Sequence, residues 1–325
     1  MTHRLVCLMT MGLIFCLSGC GKKSDETVLK MGHALDTEHP VHKAMIFMAE
    51  RLKEKSGGKV ILQVYPGEQL GSEREMIEQV QMGLLDITKV STSPLESFIP
   101  SMSVFSVPYL FRDSEHFWKV LDGPTGKKLL QAGETKGLKG LCYYDAGSRS
   151  FYTKEKPILT PEDLTGMKIR VQESKTSMQM ITALGASPTP IAWGELYTSL
   201  QQGVVDGAEN NPPSFYLSGH YEVCKHYSLD EHTMVPDIVI MSMKTWNKLP
   251  ADIQQMVQEA ADESVQEQKR LWKEKTDESL KTVQERGVTV YNPEKAPFRE
   301  KVKPMHDSYK GTEVGELIAE IEAVQ

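Results

Sequence analysis

The sequence is poor in the signatures of covalent chemistry. It has no Gly-x-Ser-x-Gly, no His-Glu-x-x-His, no phosphate-binding loop and no Cys-x-x-Cys. Serine-hydrolase, zinc-peptidase, nucleotide and dithiol chemistry therefore have no motif to rest on. No cofactor is expected, and the chain does not read as an enzyme. Excess positive charge is also absent: 37 Lys and Arg stand against 44 Asp and Glu, for a net charge of −7. That balance gives no support to a nucleic-acid partner, and it means that any bound anion must depend on local cations. Long apolar runs are scarce as well. The run Leu5–Leu17 has 13 residues, too few to span a bilayer comfortably as a permanent helix.

Arg4 before that run and Leu17-Ser18-Gly19-Cys20 after it read as an export signal rather than as structure. The tetrad resembles the lipobox of bacterial lipoproteins, which implies cleavage ahead of Cys20, acylation of Cys20 and a lipid anchor in a membrane. Gly21 lacks the aspartate that retains many Gram-negative lipoproteins at the inner membrane. The expected segments are a signal peptide over 1–19, a lipidated polar tether over 20–27 and a folded region over 28–325. Cleavage leaves 306 residues with a net charge of −8, too long for one small core but suited to two lobes. Of the five cysteines, Cys142 and Cys224 lie beyond the signal and Cys20; spacing leaves their pairing open.

The mature chain starts β-α-β-α-β. Val28 to Met31 reads as a strand. Pro40 opens a helix whose Val41, Ala44, Met45, Met48 and Leu52 share one face, Val60, Leu62 and Val64 alternate as a strand, and Ser72 with Glu75 forms a capping box. His33, His39 and His42 raise the question of a metal. Their spacings do not suit a helical ligand pair, and no cysteine or carboxylate completes a set. No metal site is expected; one of these histidines is better suited to bond a ligand or cap a loop. A strand from Leu84 to Val90 leads into Ser91-Thr92-Ser93-Pro94, at the end of the strand where open α/β sheets usually bind ligands. Leu138 to Tyr144 reads as a further strand, with Arg149 just beyond it as a candidate cation.

The richest stretch runs from Gly166 to Pro212. In Met167-Lys168-Ile169-Arg170-Val171, alternation lets Ile169 and Val171 face a core while Arg170 faces the other way, where it can meet an anion. Gln201-Gln202-Gly203-Val204-Val205-Asp206 echoes Gln81-Met82-Gly83-Leu84-Leu85-Asp86, which suggests two lobes of similar design. From Pro250 a long charged helix or helix pair runs to Gly287, and the tail from Phe298 to Val324 reads as helical.

The phrases YPGEQLGSEREM (65–76), VPYLFRD (107–113), LTGMKIRV (164–171) and LGASPTPIAWGELYTSLQQGVVDGAEN (184–210), followed by a helix after LPADIQ, resemble the periplasmic solute-binding proteins of TRAP transporters, the DctP-type family. The resemblance covers essentially the whole mature chain. It implies an α/β clamshell of two lobes with crossing strands and a long bracing C-terminal helix, closing on a ligand. It also implies docking to a membrane permease of a small and a large subunit, driven by an ion gradient. Lobe one is expected over 28–145 plus part of the C-terminal region, lobe two over 146–245, and bracing helices over 250–325. The resemblance further implies that Arg170 pairs with the ligand carboxylate, with Arg149 as a second arginine, although the asparagine usual in its turn is absent. Asn210, Glu73 and Trp193 match family contact positions, and Ser91 and Glu173 match positions that vary with ligand.

These residues, with His33, suit a solute with one carboxylate and several hydroxyls, and Trp193 can cover a sugar-ring face. The expected ligand is a hexuronate such as glucuronate or galacturonate. A C4-dicarboxylate is the alternative, and it would need a second cation where Glu73 and Glu173 stand uncompensated. Presentation of the ligand to a sensor kinase is the alternative of a different class. The receptor is expected to act as a lipid-anchored periplasmic monomer.

Overall fold

A computed structural model describes residues 26–325; the expected signal peptide and Cys20 lie outside them. The described chain forms two sheets, each flanked by helices. The first sheet contains β1 (Thr27–Gly32), β2 (Val60–Tyr65), β3 (Ile87–Ser91) and β4 (Leu138–Tyr144). The second contains β5 (Arg149–Thr153), β6 (Lys168–Val171), β7 (Ser187–Pro190), β8 (Gly207–Asn210) and β9 (His226–Thr233). Strand β10 (Asp237–Ser242) returns to the first sheet and β11 (Thr289–Tyr291) to the second, giving the orders β2-β1-β3-β10-β4 and β11-β9-β5-β8-β6-β7.

The chain thus crosses between lobes from β4 to β5 and from β9 to β10. This corrects the expected limit of the second lobe: Asp237–Ser242 lies within 146–245 but pairs antiparallel with both β3 and β4 of the first lobe. Strand order is fixed by these long-range ladders, to which local periodicity is blind.

Local signals explain the helix starts. His39 Nδ1 accepts from Val41 N–H ahead of Pro40–Lys55, and Ser72 and Glu75 form the reciprocal capping box of Glu73–Met82. The sequence echo has a physical basis. Gly83 and Gly203 end their helices with φ of 75° and 74°, a conformation natural to glycine. The aspartates that follow are bonded alike, for Asp86 Oδ2 accepts from Lys30 N–H and Asp206 Oδ2 from Lys168 N–H, each at 2.8 Å. Each acid ties the helix exit to the backbone of a neighbouring strand. The strand after the second echo begins at Gly207, later than Val204.

Ala251–Glu285 is one continuous helix of 35 residues. Ile253, Val257, Ala260, Ser264, Gln268 and Trp272 are buried along it, and it packs on Pro40–Lys55 of the first lobe and on Pro212–Leu217 of the second. Its buried Gln268 holds the β4–β5 crossing at both ends of one residue: Asp145 N–H donates to Oε1 and Nε2 donates to Asp145 O, each at 2.8 Å. Tyr144 and Ser264 share a further bond of 2.7 Å. Cys142 and Cys224 are both free and buried. No helix among the described residues is long and apolar enough to cross a membrane.

His33 is buried in the first lobe, not in the cleft. Its Nδ1 accepts from Leu35 N–H at 3.1 Å, so its Nε2 proton points to His42 Nδ1 at 2.9 Å. Burial first, then Lys89, push the imidazole down to about 2. A histidine lowered on folding contributes stability that is complete above its unfolded value of about 6.5 and is lost as pH falls toward the folded value. The stability of the wild type minus that of His33→Asn, measured by urea unfolding, is expected to fall by up to about 1.4 kcal/mol per pH unit below about 6.5. A difference that stays constant from pH 7.5 to 5 would refute the neutral, buried state.

Candidate functional site

The carboxyl ends of β3, β6 and β8 meet the two crossing segments around a narrow cavity of about 40 Å³. Glu73, Lys89, Ser91 and Asp237 line it from the first lobe, and Arg149, Arg170, Trp193 and Asn210 from the second. Such a volume holds about three waters, so the lobes must part to admit a sugar ring. They are held together here by direct bonds across the cleft. Ser91 Oγ donates to Gln172 Oε1 at 3.3 Å, His39 Nε2 meets Ser214 Oγ at 3.4 Å, and Glu96 Oε1 accepts from Thr176 N–H at 3.1 Å.

Arg170 is 2% exposed on β6. Its Nε and Nη2 both donate to the Ile191 carbonyl, at 2.9 and 2.7 Å, while Nη1 is buried without a partner. No carboxylate pairs with it, and burial lowers its affinity for the proton. The fork is therefore anchored on one edge, with the Nη1 edge left for an acceptor. Trp193 stands 5.9 Å from the guanidinium, and its other neighbour is His220 at 5.1 Å. Burial first, then Arg170, push His220 down to about 3, which keeps it neutral beside the cation.

Arg149 also reaches the cavity, but Glu209 holds its charge. Nη2 donates to Glu209 Oε1 at 2.8 Å, Nε to Oε2, and Nη1 to Asn210 Oδ1 at 2.9 Å. Burial alone would raise the Glu209 carboxyl; Arg149 and His232 instead bring it to about 2. The expected second ligand cation is thus a buried ion pair that orients Asn210. Asn210 Oδ1 also accepts from Asn211 N–H, leaving the amide NH2 to donate.

Glu73 is compensated, contrary to expectation. Lys89 Nζ lies 3.6 Å from it and 3.0 Å from Asp237, and Ser91 N–H donates to Glu73 Oε1 at 3.0 Å. Burial raises the Glu73 carboxyl, with Lys89 opposing. Glu173 does not line the cavity; its neighbour Gln172 does. Sequence reasoning also missed Lys89, Asp237, Gln172, Ser214 and Trp272. The available signal was Lys89 itself, a lone cation inside a strand that is buried at all five positions.

A larger groove of about 590 Å³ lies on the other side of the crossing segments. Alternate residues of those segments face opposite ways: Ala146 and Val235 line the cavity, Gly147 and Met234 the groove. Trp272 of the long helix lines both. In the groove Trp118 Nε1 donates to Asp145 at 3.2 Å, Lys269 caps the Trp118 ring, and Lys295 pairs with Glu231. These polar groups satisfy one another, whereas the small cavity contains a buried guanidinium edge with no partner, a donor free to meet an acceptor.

Comparison with known proteins shows the family. The model of the bacterial extracellular solute-binding proteins, family 7 (DctP), matches residues 31–312. A TRAP periplasmic solute-binding protein from Xanthobacter autotrophicus, solved with β-D-galacturonate, is 39% identical, covering 91% of this chain and all of its own, with a TM-score of 0.89. One from Roseobacter denitrificans, solved with β-D-glucuronate, is 38% identical, covering 92% of this chain and all of its own, also with a TM-score of 0.89. The C4-dicarboxylate-binding periplasmic protein DctP of Rhodobacter capsulatus is 32% identical over 92% of this chain and 91% of its own. Proteins of this kind are periplasmic receptors for small organic acids that work with a membrane permease, and they are not enzymes. A match over nearly the whole described chain, on a two-lobed fold with an anion-ready cleft, shows that this chain belongs to family 7 of the bacterial extracellular solute-binding proteins, the DctP family.

Proposed function

We propose that the chain is the extracytoplasmic receptor of a TRAP transporter that captures a hexuronate, glucuronate or galacturonate, between its lobes and delivers it to the small and large permease subunits. The observation that carries this reading is the buried, unpartnered Nη1 of Arg170 at a cavity lined by hydrogen-bonding groups and an indole. The charges of the lining favour one carboxylate over two. Lys89 is matched by Asp237 and Glu73, and Arg149 by Glu209, so Arg170 is the one lining cation among the described residues with no acid partner. A second carboxylate at the first-lobe end would meet two acids and one lysine. The bound uronates of the related structures support the same ligand class. In this reading Cys20 carries the lipid that holds the receptor, as a monomer, at the membrane.

Calorimetry on purified mature protein tests the reading. Glucuronate or galacturonate is expected to bind at least about 100-fold more tightly than succinate or malate, a gap of about 2.7 kcal/mol. Equal or tighter binding of the dicarboxylates would reverse the ligand assignment while leaving the family unaffected.

A further inference from the structure

Beside the mouth of the cleft, a carboxylate of the first lobe reaches the second lobe without touching the cavity. Glu68 sits in the turn after β2, and its Oε2 accepts from Gly194 N–H at 3.2 Å. Its other oxygen, Oε1, is buried with no hydrogen-bond partner. The turn is fixed by its own bonds, Gly67 N–H to Leu35 O at 2.9 Å and Glu68 N–H to His33 O at 3.1 Å. Glu68 also has φ of 59°, an unusual conformation for a residue with a side chain, of the sort retained where function demands it. Glycine at the second-lobe partner allows this close approach: a Cβ at position 194 would lie 2.3 Å from Glu68 Oε2, so a side chain there would push the carboxylate aside.

We propose that Glu68 is a closure-linked carboxyl, which takes up a proton as the lobes shut and thereby sets the affinity for the solute from outside the binding cavity. The inference rests on the closing-receptor reading above. In an open form both carboxylate oxygens are hydrated. Closure gives one of them a backbone donor and strands the other, an arrangement that penalises the charged form and tolerates the neutral one. The charged groups facing Glu68 are Glu73 of its own lobe and Arg170 and Glu195 of the other, two acids against one base. Burial is the first cause of a raised carboxyl here, ahead of the opposing bond from Gly194. A carboxyl raised by closure makes closing easier as pH falls through its closed-state value, with no further gain below the open-state value.

Glu68→Gln keeps an oxygen for Gly194 N–H and removes the charge. At pH 8 it is expected to bind hexuronate several-fold more tightly than wild type, because closure no longer strands a charge. Calorimetry at mildly acidic pH, between the open-state and closed-state values, in buffers of different ionisation enthalpy should show proton uptake on binding that is smaller in the variant. Equal proton uptake in both, or weaker binding by Glu68→Gln, would overturn the proposal. A ligand-free measurement separates its failure from failure of the ligand assignment: the distance between spin labels placed on the two lobes. At pH 8 the closed fraction of Glu68→Gln is expected to exceed that of wild type. Equal fractions would show that Glu68 does not act on closure, even if affinity changes by repulsion of the solute.

Discussion

Arg170→Ala is expected to weaken hexuronate binding by roughly 30- to several-thousand-fold, the 2–5 kcal/mol typical of truncating one partner of a desolvated charge pair. The fold should survive, because the guanidinium's hydrogen bonds within the protein go to one carbonyl, that of Ile191. Arg170→Lys keeps the charge but has no second edge with which to hold Ile191 and the carboxylate together, so it should recover only part of the loss. Calorimetry beside thermal unfolding decides the matter. Affinity within threefold of wild type in a folded alanine variant would remove Arg170 from the site.

Glu209→Gln is expected to cost stability rather than ligand contacts. Glu209 is 2% exposed and accepts from Arg149 on both oxygens, with His232 Nε2 at 3.4 Å from Oε2. Removing one partner of a buried ion pair leaves the other charge uncompensated, typically at about 3–5 kcal/mol. For a protein of this size that corresponds to a fall in Tm of roughly 5–10 °C. The double variant Arg149→Gln, Glu209→Gln should lose less than the sum of the two single variants, because it leaves no orphaned charge. Additive losses would show that the pair is not coupled. The wild-type contribution has a pH signature too. A carboxyl lowered to about 2 stabilises fully above the unfolded value near 4.5 and loses that contribution as pH falls toward 2.

The parts of the fold legible in the sequence are those written by near neighbours. Caps such as Ser72–Glu75, glycine exits at Gly83 and Gly203, and alternation in Val60–Val64 depend on residues within a few positions. Arg170, placed on a strand face opposite an apolar one, was legible for the same reason. The exceptions share a cause in chain distance. Arg149 reads as a free cation because its acid is 60 residues away, and Glu73 reads as uncompensated because Lys89 lies across the lobe core. Strand β10 reads as second-lobe because nothing local announces a return crossing. His33 reads as a ligand contact because its burial is imposed by tertiary packing, while His39, in the same cluster, is the histidine that lines the cavity.

The clamp of Gln268 on Asp145 gives the molecule an axle. With the β4–β5 crossing pinned to the long helix, rotation of one lobe against the other is a rocking about that line, and the two gaps on either side of it must change in opposite senses. If the mouth seals over a solute by such rocking, the groove behind the crossings, lined by Trp118, Trp272 and Tyr109, is expected to widen. Capture on one face would then be written on the opposite one as a change in shape. A membrane partner that felt only the back of the receptor could tell a loaded molecule from an empty one without ever meeting the sugar acid.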